Sequence, residues 1–211
     1  MTIELPQSVA ATTDAIALEG MGYGEGGTFR LGASSGRFTR QALSERDRAP
    51  FATSDLKRFH GGGSFSVEGP DVRGVIEATC QYSEVQERDG ATTTTVALFA
   101  YRCSFMRDGR PLDAHFILHA APRKVWGATA ETRAGEFRVG GRTIAIQPIH
   151  DSPQTRLPTM DPIGYRFMSG GRDIGAIDVN GERKTLYAPR AVDDREAVLM
   201  AGLALSILWY S

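Results

Sequence analysis

Residues 197–211 read AVLMAGLALSILWYS. At 100° per residue, Val198, Leu199, Met200, Leu203, Leu205, Ile207, Leu208 and Trp209 point all round a helix axis, so the segment offers water no polar face. Such a helix must be enclosed. Asp193 is placed to act as N-cap, with Glu196 three residues later completing a capping box and Asp194 adding charge at the positive helix end. The helix is therefore expected to start near Asp194 and to run to about residue 210.

Fifteen helical residues reach only about 22 Å, short of a hydrocarbon core of about 30 Å, and no basic flank follows them. No transmembrane segment is expected, and the helix needs a protein shell. Burying its eight large side chains at about 1.5–3 kcal/mol each contributes about 12–24 kcal/mol gross, enough to make it the nucleus of the core. Only a closed barrel covers every side of a helix. A barrel of about eight strands is filled by its own side chains, so one that takes in a helix about 10 Å wide needs about twelve.

The preceding chain reads as a source of such strands. Val72–Glu87, Ala91–Arg107 and Arg110–Ala120 are separated by Asp89-Gly90 and Asp108-Gly109, the dipeptide that favours two-residue hairpin turns. With two-residue turns, partners have numbers summing to 179 across the first hairpin and 217 across the second. Ile76, Ala78, Cys80 and Tyr82 then share a face with Ala97, Phe99, Tyr101, Cys103 and Phe105, and with Ala114, Phe116, Leu118 and Ala120. Two independent turns thus agree on one apolar face, as alternation requires of a half-buried sheet.

That register puts Glu77, Arg102 and His115 in one row on the opposite face, with Asp113 beside Ser104. It also sets Cys80 against Phe99, about 13 Å along the strand from Cys103, so the two cysteines are expected as buried free thiols.

Further strands are read at TFRL, GRFTRQAL, SFSVEG, EFRV, RTIAIQPI and, towards the C-terminus, Ile163–Met168, Asp173–Val179 and Glu182–Ala188. Counted from Thr28 they number about twelve, without intervening helices, which indicates an antiparallel closed barrel. Residues 54–59 read as a short helix, and residues 1–26 as a loose N-terminal arm with one short strand or helical turn around Asp14–Leu18. Residues 27–211 are taken as a single β-barrel domain with its central helix at about 194–210.

The segment IGAIDVNGERKTLYAPRAVDDREAVLMAGLALSILWY, Ile174 to Tyr210, resembles the last hairpin, acidic turn and central helix of the tubby-like C-terminal barrel. That fold is shared by tubby proteins, phospholipid scramblases and the plant LURP-one-related group. The resemblance implies the barrel and, through the family, lipid binding. The palmitoylated cysteine cluster, calcium-site acidic segment and Pro-rich N-terminal region of scramblases have no counterpart here.

Among 211 residues, 24 Lys and Arg against 25 Asp and Glu give a net charge of −1, which supplies no global field for nucleic acid. The Lys residues stand at positions 57, 124 and 184, and this excess of Arg suggests a GC-rich bacterial genome. The first twenty residues show neither a basic n-region nor a continuous apolar h-region, so a cytoplasmic location is expected. His115 and His119 lie about 13 Å apart on a strand, too far to share a metal, and no cofactor or metal is expected.

The candidate ligand-binding residues are Glu77, Arg102 and His115 in the outer row, and Arg123, Lys124 and Trp126, which combine charge with an amphipathic ring. Opposite charges across strands also stabilise any exposed sheet face, and a packed Trp beside a solvated loop needs no ligand. Gly61-Gly62-Gly63 precedes a strand rather than a helix, so a bulge or flexible loop fits it better than a phosphate cradle.

The expectation is therefore a non-enzymatic binding or scaffold module that takes anionic lipid head groups or a protein partner. One alternative is a hydrolase or other small-molecule enzyme with its site at a barrel end near His60 or His150, the latter followed by Asp151 and Ser152. The other is a subunit of a larger assembly, its oligomeric state open, because short barrels expose incomplete edges.

Overall fold

A computed structural model describes residues 2–22, 24–47, 54–89, 91–125, 128–155, 157–181 and 183–208. A six-residue helix, α1 (Gln7–Thr12), leads into twelve strands: β1 (Thr13–Glu19), β2 (Gly26–Leu31), β3 (Ser34–Asp47), β4 (Ser54–Glu68), β5 (Ile76–Asp89), β6 (Thr92–Arg107), β7 (Arg110–Val125), β8 (Ala128–Val139), β9 (Arg142–Ile149), β10 (Gly164–Ser169), β11 (Arg172–Asp178) and β12 (Lys184–Pro189). Helix α2 (Val192–Ile207) follows. Every strand is antiparallel to its chain neighbours, and β1 pairs with both β2 and β12, closing the barrel.

The order follows from turn chemistry. Asp108 and Gly109 both adopt positive φ, as the tight hairpin between β6 and β7 requires. Two elements differ from expectation. Residues 54–59, read as a helix, form the first part of β4, where pairing with β3 and β5 outweighs a weak local preference. The short strand expected around Asp14–Leu18 is present as β1, but as a stave of the barrel rather than part of a loose arm, running from Thr13↔Pro189 to Leu18↔Lys184 against β12.

Helix α2 lies inside, with every residue from Glu196 to Leu208 buried. Its two polar obligations are met within the core: Tyr101 donates to the Ala204 carbonyl at 2.8 Å and Ser206 to the Gly202 carbonyl at 2.7 Å. A Cβ at Gly202 would collide with the Leu186 side chain, so this glycine lets the helix settle against β12. Around it the inward faces of the strands form one cluster that includes Phe38, Phe65, Phe105, Phe116, Phe137 and Phe167.

The expected capping box does not form. The N-cap is Ala191 without a side-chain cap, and Asp193 and Asp194 lie in the first turn. Glu196 turns inward, where its carboxylate accepts from Arg73 Nε at 3.0 Å, Arg73 Nη2 at 2.6 Å, the Arg73 backbone N–H at 2.8 Å and Arg107 Nη2 at 2.8 Å. The β4–β5 loop and the end of β6 are thereby tied to the helix start. Asp193 pairs with Arg73 and Asp194 with Arg142. Burial pushes the Glu196 carboxyl up, but the Arg73 hydrogen bonds and the Arg107 charge outweigh it and hold it below the usual carboxylate range.

The register of the central meander is offset from that set by its turns. Across the first hairpin Asp89 pairs with Thr92, two irregularities follow near Val85, and below them Ser83 faces Ala100 and Cys80 faces Cys103. The net offset is four residues: Cys80 meets Cys103 instead of Phe99. Across the second hairpin a bulge between Ser104 and Met106 moves the partner of Ser104 from Asp113 to His115. Each offset is even, so the apolar faces stay together while the partners change.

The cysteines are consequently not free thiols. Facing each other on adjacent strands with Cα atoms 4.0 Å apart, they form a disulfide between β5 and β6.

Strand length is uneven. β3 to β8 have 12 to 16 residues, whereas β1, β2 and β9 to β12 have six to eight. At 3.3 Å per residue β6 spans about 50 Å, about twice the length of α2, so the long strands outrun the helix beyond its C-terminal end.

Candidate functional site

Because α2 fills the barrel, a ligand is met on the outside or at an end. An open groove of about 1030 Å³ crosses the outer faces of β3 to β7. Two cross-strand rows build its floor. Gln41, Gly62, Gln81 and Arg102 are successive partners in the first, and Thr39, Ser64, Thr79, Ser104 and His115 in the second. His60 lies at one border, paired between Leu43 and Ser83.

The glycine run sets the depth. Gly62 faces outward between two glutamines, and a Cβ there would collide with the Cys80 carbonyl oxygen. Gly61 and Gly63 would collide with the carbonyls of Gln41 and Thr39. The strands therefore approach more closely here than side chains on β4 would allow. The run that reads as a bulge or flexible loop is instead regular strand at the crowded centre of the groove.

The lining is hydroxyl- and amide-rich, with Arg102, His60 and His115 as its exposed basic side chains and no carboxylate among the lining residues. Thr39 and Ser64 hydroxyls hydrogen-bond to each other at 2.9 Å. His60 Nε2 stands 3.9 Å from Glu45 Oε1, outside the groove. An electropositive, donor-rich, solvent-open surface is suited to an anion or a polyhydroxyl group.

The structure thus divides the expected row. Arg102 and His115 share the groove as diagonal rather than direct neighbours, since Arg102 faces Gln81 and Ile117 while His115 faces Ser104 and Arg138. Glu77 does not join them. It faces Ser66 and Met106, four residues or about 13 Å along β5 from the partner of Arg102. The bulge at Ser104/Met106 and the offset across the first hairpin together break the row.

Arg123 and Lys124 lie near the tip of the β7–β8 hairpin, paired with Ala130 and Thr129. Trp126 lies outside the described residues. The glycine run has no side chains to mark its face, whereas the alternation of Thr79, Gln81 and Ser104 with apolar residues marks them as one outer face.

At the end of the barrel near the helix C-terminus, His150 is buried between two threonines. Its Nδ1 is 3.1 Å from the Thr159 carbonyl and its Nε2 is 3.0 Å from Thr132 Oγ1. A carbonyl only accepts, so Nδ1 carries the proton and, in the neutral ring, Nε2 accepts from the Thr132 hydroxyl. Thr132 and His150 are 7% and 5% exposed, so the pair joins β8 to the β9–β10 connection. Ser152 is buried beside it, and its hydroxyl accepts from the Gln154 backbone.

Lys184 lies at the same end, where it donates to the Met21 carbonyl at 2.8 Å. Burial, with the Arg40 charge, lowers its pKa to about 8.

These features define a class: a closed twelve-stranded antiparallel barrel filled by its own C-terminal helix, with a cationic polar groove on its outer wall. No family model, no curated protein and no solved structure matches the chain. No described helix is long and apolar enough to cross a membrane.

Proposed function

We propose that this chain is a non-enzymatic, tubby-like barrel that binds an anionic head group in the groove over β3 to β7. The observation that carries the reading is the groove itself: Arg102, His60 and His115 stand among hydroxyls and amides with no carboxylate in the lining. With the interior occupied by α2, this outer wall is where recognition has room to occur. The strand count, closure and enclosed helix support the tubby-like assignment, in which the fold comes before any ligand.

The Cys80–Cys103 bond favours an oxidising compartment over the cytoplasm expected from the N-terminal sequence, since structural disulfides persist where thiols are not kept reduced. Flotation with vesicles containing anionic lipid at low salt tests the lipid reading. The chain is expected to float with those vesicles and not with neutral ones, and Arg102→Glu is expected to reduce co-flotation at least several-fold. Failure of the unaltered chain to float at low salt removes this function.

A further inference from the structure

The exposed basic side chains of the groove stand on a diagonal across it. His60 is two residues along β4 from Gly62, which pairs through Gln81 with Arg102, and Ser104, two residues beyond Arg102, pairs with His115. With strands about 4.8 Å apart and residues about 3.4 Å apart, the Arg102 backbone lies about 12 Å from that of His60 and about 8 Å from that of His115, and the diagonal is about 20 Å long. A single phosphate or carboxylate cannot reach both ends.

Between the charges lies neutral ground. Ser83 and Gln81 flank the step from His60 to Arg102, and Ser104 the step from Arg102 to His115. Hydroxyl and carboxamide groups each donate and accept. Carboxylates bound the diagonal instead of entering it: Glu45 stands 3.9 Å from His60 Nε2, and Glu136 pairs with Arg138, the β8 partner of His115.

We propose that the groove binds an acidic polysaccharide, a chain of sugars carrying spaced carboxylates or sulfates, laid along this diagonal. The inference rests on the reading of the groove as an anion site and adds the form in which the anion comes. Charge complementarity selects an anion, and the length of the diagonal selects one with several anionic groups on an extended chain. The hydroxyls and carboxamide between the cations select a chain with hydroxyls of its own, because each of those groups needs donors as well as acceptors from its partner. Two other extended anions match less of the groove. Polyphosphate is charged at every unit and brings acceptors without donors. Single-stranded nucleic acid draws affinity from aromatic stacking, whereas Tyr82 of the lining is stacked on Phe99.

Calorimetric titration with oligogalacturonates of one to eight units tests this at pH 6 and low salt, where histidines take up protons and screening is weak. Linked contacts raise affinity until the chain spans the diagonal, so binding is expected to strengthen at least tenfold from the dimer to the hexamer and then to level off. Neutral maltohexaose and inorganic phosphate are expected to bind at least tenfold more weakly than the acidic hexamer. Arg102→Gln and His115→Gln are each expected to flatten the length dependence with an unchanged circular dichroism spectrum, whereas Arg30→Gln, on β2 outside the groove, is not. Affinity independent of length overturns the proposal, as does phosphate, maltohexaose, polyphosphate or an oligothymidylate bound as tightly as the acidic hexamer. Anionic vesicles that float with the chain while no oligosaccharide binds overturn it and leave the head-group reading intact; failure of both removes the two together.

Discussion

Replacing Glu196 by alanine removes the carboxylate that receives four hydrogen bonds from Arg73 and Arg107 at the start of the buried helix. Deleting one partner of a buried ion pair costs about 3–5 kcal/mol, chiefly by leaving the other charge uncompensated. Here the Arg73 side chain is 57% exposed and can turn to water, while Arg107, at 28%, is more confined. The expected loss is therefore about 2–4 kcal/mol, which for a chain of this size lowers the Tm by about 4–16 °C.

The pH dependence carries a second, independent signature. A carboxyl held below its usual value near 4.5 contributes stability that is fully present above that value and is lost as pH falls through the folded-state pKa. Thermal unfolding of the two proteins should therefore differ most near neutrality and converge in acid. Asp193→Ala is the control: if Asp193 capped the helix its loss would cost about 1 kcal/mol, whereas its exposed pairing with Arg73 predicts less than about 0.5 kcal/mol. An Asp193 variant as damaged as the Glu196 variant, or a Glu196 variant as stable as the unaltered chain, refutes the clamp.

Reduction of Cys80–Cys103, or the Cys80→Ser/Cys103→Ser pair, is expected to destabilise the barrel by roughly 3 kcal/mol, the loop-closure value for residues 23 apart. Chemical unfolding with and without reductant measures it; no change would mean that the bond adds little to a ladder already in place. Lys184, with its pKa lowered to about 8, binds fewer protons folded than unfolded between that value and the ordinary 10.5. Its contribution to stability accordingly rises with pH through that window, and Lys184→Met is expected to flatten the rise in denaturation midpoints recorded from neutral to alkaline pH.

The enclosed helix was legible because Val198 to Leu208 leaves no face for water, a property of composition that no partner can alter. The faces of the meander were legible for a related reason. Ile76, Ala78 and Cys80 must point inward with Tyr101, Cys103 and Phe105 whichever residues lie opposite, and an offset of two or four preserves that alternation. The particular partners were not legible, because Asp-Gly turns mark where a hairpin reverses but not where a bulge absorbs an extra residue. Three site-level differences follow from that gap: Cys80 meets Cys103, Glu77 leaves the row, and Arg102 becomes diagonal to His115.

Capping was misread for a different reason. Asp193 and Glu196 have the spacing of a capping box, but Arg73 from the β4–β5 loop and Arg107 from the end of β6 supply charged donors that a single helix turn cannot match. Local pattern loses to tertiary pairing wherever a buried carboxylate finds an arginine. In this barrel the β4–β5 loop and the end of β6 also fasten the helix. Closure of the sheet and enclosure of α2 are thus coupled through the Glu196 carboxylate, which holds Arg73 and Arg107 at once.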